Sequence, residues 1–423
     1  MKLEPGNLKL LAPGETEAVL GLRAAALARA ESLPVPTGME EDWRRTDPRS
    51  FPVDSMPPAS PPARVPPGEP GGLDSFYDVV VRIGGDGWSI ADRSGVLDSG
   101  AVRVGTLSDG LARDAAGVER LWNSTPEPRP ADRFEWLARA FHTFGLHLCV
   151  KPGASLERGV LVHWREPAGC LFAPALLIDV GEGASLNVAE VVESAAAGPA
   201  MALGITRFAV GAGGTLRLAH VQRAGAESVR MGFTHGTIGA RASLDVVTVH
   251  AGADLVRTCV SADAAGREAS VRVGGLFFAA AGQHLDQQTL QIHSAPDTTS
   301  DLLYKGAVRD DGHSIYRGLI AASRGAVRIN AYQRNNNMVL NEGARADSLP
   351  GLLIDADDLK CSHGATIGSV DPEQIHYLRT RGLGEAEARR LILDGFFEEI
   401  TSRLSIPALR DSVRALLGSR LTA

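Results

Sequence analysis

The sequence predicts a mainly β chain. Its core is a solenoid, a β-helix of stacked coils, with a helical region before it and an all-helical tail after it. Three observations carry this. A small hydroxyl residue followed by an apolar one recurs as Ser155-Leu156, Ser185-Leu186, Thr215-Leu216, Ser243-Leu244 and Ser270-Val271, with hydroxyl spacings of 30, 30, 28 and 27. Alternating runs follow, as in Leu216-Arg217-Leu218 and Val271-Arg272-Val273. Aromatics are only 5% of the 423 residues while Gly numbers 47, a balance suited to many turns between short strands. Such a strand-turn unit buries no apolar face alone, so neighbours must stack. A β-sandwich with coincidental spacing is the alternative these residues leave open.

The elements follow in order. Glu15 to Ser32 is Ala- and Leu-rich, with Leu20, Leu22, Ala26 and Leu27 at helical spacing, and Pro34 and Pro36 end it. Residues 1–47 form the N-terminal helical region. Nine of the 24 prolines fall between Pro48 and Pro70, a density that predicts an extended linker over 48–72. Residues 73–148 read as mixed α/β, with a strand-like run at Asp78 to Ile83 and a helix at Asp132 to Phe144 showing Phe134, Leu137, Ala138 and Phe141 on one face. The β-helix core is placed at 149–360 and the C-terminal helical domain at 361–423. There, Asp371-Pro372-Glu373-Gln374 supplies an N-cap, a first-turn Pro and a capping-box Gln. Gly382 suits the position after that helix. A second helix, Glu385 to Leu404, aligns Ala388, Leu391, Ile392, Phe396, Ile400 and Leu404, and Pro407 opens a third that ends at Gly418. Such a tail caps the solenoid's end or binds a partner.

Composition excludes several functions. The net charge of −7 argues against bulk nucleic-acid binding. No apolar run is long enough to span a membrane, and the first residues lack a secretory layout. The four cysteines, Cys149, Cys170, Cys259 and Cys361, form neither a disulfide framework nor zinc hooks, so a cytoplasmic location is expected. All five lysines follow a residue other than Gly, which rules out a P-loop in this sequence. Dinucleotide, zinc-protease and nucleophile-elbow motifs are also missing.

One stretch stands apart: Asp357-Asp358-Leu359-Lys360-Cys361-Ser362-His363-Gly364-Ala365-Thr366. In an extended segment, residues two apart face the same side, so Cys361 and His363 can reach one soft or borderline metal ion. Two ligands do not complete a site. A capped turn with a buried Cys and solvated aspartates explains the same residues without a metal.

This stretch, continued by Ile367-Gly368 and by Asp371 to Leu383, resembles the signature of the SufB/SufD family of iron–sulfur cluster assembly proteins. Ser314 to Ile320, Asn330 to Asn335, Pro350 to Ile354 and the N-terminal Trp43-Arg44-Arg45-Thr46-Asp47 resemble further family segments. The Cys-Ser-His-Gly-Ala-Thr form resembles the SufD branch. The resemblance implies a right-handed parallel β-helix between helical ends, and a non-catalytic subunit in a SufBCD complex. Its implied partners are a SufB-like paralogue and a SufC-like ABC ATPase, which carries the ATP and docks on the C-terminal helices from about Glu385 to Leu417. It also implies that Cys361 and His363 lie at the SufB–SufD interface, where iron or a nascent cluster is held transiently and shared. A homodimer is allowed when the chain is alone. His376 stands where the family usually has Phe, and is either a packed ring or an added ligand. Competing expectations are a SufB-like scaffold that holds a cluster by itself and a polysaccharide-binding β-helix.

Overall fold

The computed structural model describes residues 15–69, 71–195 and 198–422. Helix α1 (Glu17–Ser32) buries Val19, Leu22, Ala26, Leu27 and Ala30. Trp43 then packs on Phe51 and Phe134, and the Arg257 guanidinium lies 3.8 Å over its ring. Arg257 also pairs with Asp286, whose Oδ2 accepts from the Thr46 hydroxyl at 2.8 Å. The Trp43–Asp47 segment is thereby clipped to the outside of the solenoid.

The Pro-rich stretch, expected to be a linker, opens with a short 3-10 turn at Pro48–Ser50 and is packed. The Ala59 N–H donates to the Leu171 carbonyl, and the Leu171 N–H donates to the Pro57 carbonyl, each at 2.8 Å. Further on, the Val65 and Trp88 N–H groups donate to the Trp88 and Ala63 carbonyls at 2.9 and 2.8 Å. Proline density does not prevent this, because only the residues between prolines have to donate.

The chain continues through β1 (Val79–Gly84), β2 (Gly87–Asp92) and β3 (Val102–Thr106). Three helices follow: α2 (Leu107–Arg113), α3 (Ala115–Asn123) and α4 (Arg133–Ala140). Next come β4 (Phe144–Val150), β5 (Val160–Glu166), β6 (Leu171–Phe172), β7 (Pro174–Val180), β8 (Ser185–Ser194) and β9 (Ala200–Val210). The coils proper run on as β10 (Thr215–Gln222), β11 (Ser228–Ile238), β12 (Ser243–His250), β13 (Leu255–Ala264), β14 (Ser270–Ala279) and β15 (His284–His293). They end with β16 (Thr299–Val308), β17 (His313–Ala322), β18 (Ile329–Val339), β19 (Arg345–Ile354) and β20 (Leu359–Gly368).

Successive strands alternate between two sheets. One has the order β2-β1-β5-β8-β10-β12-β14-β16-β18-β20, the other β19-β17-β15-β13-β11-β9-β7-β4-β3, with β6 beside β9. Only the β1–β2 and β3–β4 pairs are antiparallel; the rest are parallel. The two sheets face each other across a continuous apolar core. The repeat seen in sequence is the strand start: Ser185, Thr215, Ser243 and Ser270 are in mutual register as the first residues of β8, β10, β12 and β14.

Helices α5 (Pro372–Thr380), α6 (Glu385–Thr401) and α7 (Pro407–Thr422) form the tail. Leu393, Phe397, Ile400, Leu409 and Val413 pack on Val221, Val247, Leu276 and Leu303, the outer face of the first sheet. Lys305 pairs with Glu399 at 2.8 Å and Arg403 with Asp301 at 3.1 Å to fix the docking. The buried stripe differs from the predicted one. Helix α6 carries apolar residues on two flanks, and the flank of Leu393 and Phe397 meets the sheet while Leu391 is 50% exposed. The third helix also runs past Gly418 to Thr422. Because the tail lies along the side, it does not cap the solenoid.

Candidate functional site

Among the described residues, strand β20 is the last of its sheet and pairs only with β18, and β19 is the last of the other and pairs only with β17. Both carry unpaired backbone groups on their outer edges. Leu352, Leu353 and Ile367 are 41%, 42% and 51% exposed there, so the terminal coil leaves apolar side chains in water.

Register places the candidate residues. Cys361 lies beside Ala331, and His363 beside Gln333. Ala331 and Gln333 are buried and belong to the inward-facing row of β18. In parallel strands, paired residues point to the same face. Cys361 and His363 therefore continue the solenoid's interior to its open end. One inner column reads Val188, Leu218, Val246, Val273, Leu302, Gln333 and His363; the next reads Leu186, Leu216, Leu244, Val271, Ser300, Ala331 and Cys361. Both columns run apolar for most of their length and turn polar or reactive near the last coils.

Cys361 is half-buried against Ala322, Ala326 and Ile329. Burial raises its thiol pKa, and the Ala331 backbone N–H partly opposes that. His363 is exposed, as is His376 on α5. The structure brings Cys361 and His363 together on one strand but does not gather His376 with them into a donor set. Among the described residues, no group of three or more His, Cys, Asp or Glu is arranged to hold a metal. The donors present, one sulfur and one imidazole, suit iron or zinc chemically but are too few to hold either alone. Asp355, Asp357 and Asp358 are exposed in the turn before β20.

Gln333 and Asn335 are named from sequence only as part of a family-like segment, and neither they nor Asn337 are given a place at the site. All three line the interior directly beneath β20. The available signal was the continuous polar run Gln333-Arg334-Asn335-Asn336-Asn337 inside a strand. Among the described residues, no helix is long and apolar enough to cross a membrane.

The comparisons agree with this geometry. The SUF system FeS cluster assembly SufBD core domain profile matches residues 163–396. The chain is 36% identical over 204 residues to an iron–sulfur cluster assembly SufBD family protein of Mycobacterium leprae, covering 46% of this chain and 52% of that protein. It is 30% identical over 246 residues to the iron–sulfur cluster assembly protein SufD of Escherichia coli, covering 58% of each. It is 34% identical over 137 residues to SufD of Bacillus subtilis, covering 32% of this chain and 31% of that protein. The chain spans about half the length of the curated relatives it matches. A solenoid core, its unfinished end and a profile match across more than half of the residues converge on one conclusion: the chain belongs to the SufBD family.

Proposed function

We propose that the chain is a SufD-like, non-catalytic subunit of a SufBCD-type complex in the cytoplasm. In this reading it assists iron–sulfur cluster assembly at its interface with a SufB-like paralogue. The observation that carries the proposal is the open end: two parallel edge strands, with Cys361 and His363 as the last inward-facing polar pair. A second solenoid stacked there pairs the free edges and buries the exposed apolar side chains. It also supplies the ligands this chain lacks. Iron or a nascent cluster is then shared cargo, held by one thiolate and one imidazole from this side.

In this chain His363 is exposed and Cys361 half-buried, so in the proposed complex it is the partner that closes over them. An ATPase partner supplies the driving force, because no lysine of this sequence sits in a P-loop. Helices α6 and α7 are its docking platform, with the Leu391 flank facing away from the solenoid. Closure of two ATPase subunits would pull on α6 and α7, and the ion pairs to Asp301 and Lys305 would pass that motion into the stiff sheet.

The test is replacement of Cys361 or His363 by Ala in the native host. Activity of cluster-dependent enzymes is expected to fall while the tagged chain still co-purifies with its paralogue and an ATPase. Undiminished enzyme activity in both variants would remove the site assignment, and elution of the tagged chain alone would remove the partners.

A further inference from the structure

We infer that Gln333 is a positioning residue for His363, so that the site at the open end includes a buried amide. This rests on the reading of Cys361 and His363 as cargo ligands. Gln333 lies beside His363 in the β18–β20 register and follows five apolar residues in the same inner column. Its side chain is fully buried, yet neither Oε1 nor Nε2 has a hydrogen-bond partner among the described residues. An amide desolvated at both ends is costly and is not expected where Leu served in the preceding coil.

The neighbouring amides each keep at least one bond, although Asn337 Oδ1 is also unpartnered. Asn337 Nδ2 donates to Asn335 Oδ1 at 2.6 Å, and Asn335 Nδ2 donates to the Tyr304 carbonyl at 3.4 Å. Space is made for Gln333 across the interior. Residue 318 is Gly, and a Cβ there would lie 2.4 Å from Gln333 Nε2. The Tyr316 hydroxyl beside it is bonded to Thr289 at 2.9 Å.

A metal-bound imidazole offers one bare ring nitrogen and ordinarily donates its other N–H to an acceptor, which fixes its tautomer and direction. The His363 ring is exposed and makes no side-chain hydrogen bond among the described residues, while its backbone belongs to the β18–β20 ladder. Gln333 lies on the adjacent strand, whose backbone is about 4.8 Å away by ordinary ladder spacing, its side chain faces the same interior, and its Oε1 is a bare acceptor. When a partner closes the end, the ring N–H settles onto Oε1. The second ring nitrogen then faces the interface and the incoming metal.

The test uses the full chain in complex with its paralogue and cobalt(II) alone as the probe, read by thiolate-to-cobalt absorption and by melting temperature. Gln333→Leu is expected to weaken cobalt binding about tenfold or more while leaving the melting temperature unchanged or raised. Gln333→Glu, which keeps an acceptor, is expected to restore binding. A purely structural glutamine predicts a lowered melting temperature with Leu. Wild-type cobalt affinity in Gln333→Leu, with binding lost in His363→Ala, would overturn this inference and leave the site reading standing. Wild-type affinity in both His363→Ala and Cys361→Ala would overturn that reading and this inference with it.

Discussion

The first and last coils of the solenoid end their sheets in different ways. At the first, β2 runs antiparallel to β1, and its outer edge is taken by the Ala63–Val65 backbone of the Pro-rich strap. Arg64 stacks on Trp88 at 5.2 Å to hold that strap down. A reversed strand edged by a proline-rich segment offers no template for another coil. At the last, β19 and β20 are still parallel to their neighbours, no described strand lies beyond them, and their inner row holds Cys361 and His363. The first sheet is closed at its β2 edge, while at the other end both sheets have the form of an interrupted stack. The helices do not alter this, since α6 and α7 cover a flank. The proposed interface rests on this difference more than on any single residue.

The largest expected effect tests the closed end. Trp164 is 1% exposed, packs on Phe144 and Phe172, and donates to Glu190 at 3.1 Å. Trp164→Ala is expected to destabilise the chain by about 3–5 kcal/mol, measured by chemical unfolding. A cost near zero would mean that the first coils are not the packed anchor described here.

Acid offers a second test, and it reaches both halves. Burial pushes His147 near the closed end down to about 4, and does the same to His284 and His293 in the later coils. Each has a folded pKa below the ordinary imidazole value of about 6.5, so the unfolded chain binds more protons in that window. Stability is therefore full above about pH 6.5 and falls progressively as pH drops toward 4. A melting temperature that stays flat from pH 7 to 5 would contradict this burial.

The smallest effect belongs to the open end. Ile367→Lys, at a position 51% exposed, is expected to change the stability of the lone chain by no more than about 0.5 kcal/mol. A charge on an edge strand blocks pairing, so the same variant is expected to lose the proposed SufB-like partner in pull-down. A large stability cost, or an unweakened complex, would break the comparison.

The sequence carried the repeat because each coil starts the same way, and the register confirms it at Ser185, Thr215, Ser243 and Ser270. The signal is faint because the turn two residues earlier is conformational. Gly153, Gly183 and Gly213 have φ of 73°, 64° and 65° there, while Arg241, Glu268, Asp297 and Arg328 hold φ of 55° to 61° at the equivalent place in later coils. Stacking imposes the left-handed turn even where no glycine announces it. Helices α2 and α3 were not anticipated, being only 7 and 9 residues long and set by the side-chain caps of Thr106 and Asp114. At the site, the shared face of Cys361 and His363 was legible from the two-residue period. That this face is the solenoid's interior was not, because it depends on pairing with β18, thirty residues away. The place of Gln333 was hidden for the same reason: a Gln in a polar run acquires meaning only from its column.

Hydrogen exchange of the chain alone and in complex with its SufB-like paralogue tests the central claim most directly. The account predicts that amides of β19 and β20 exchange rapidly in the lone chain and become protected in the complex, while those of β1 and β2 do not change. Protection appearing instead at β1 and β2, with β20 unaltered, would contradict it.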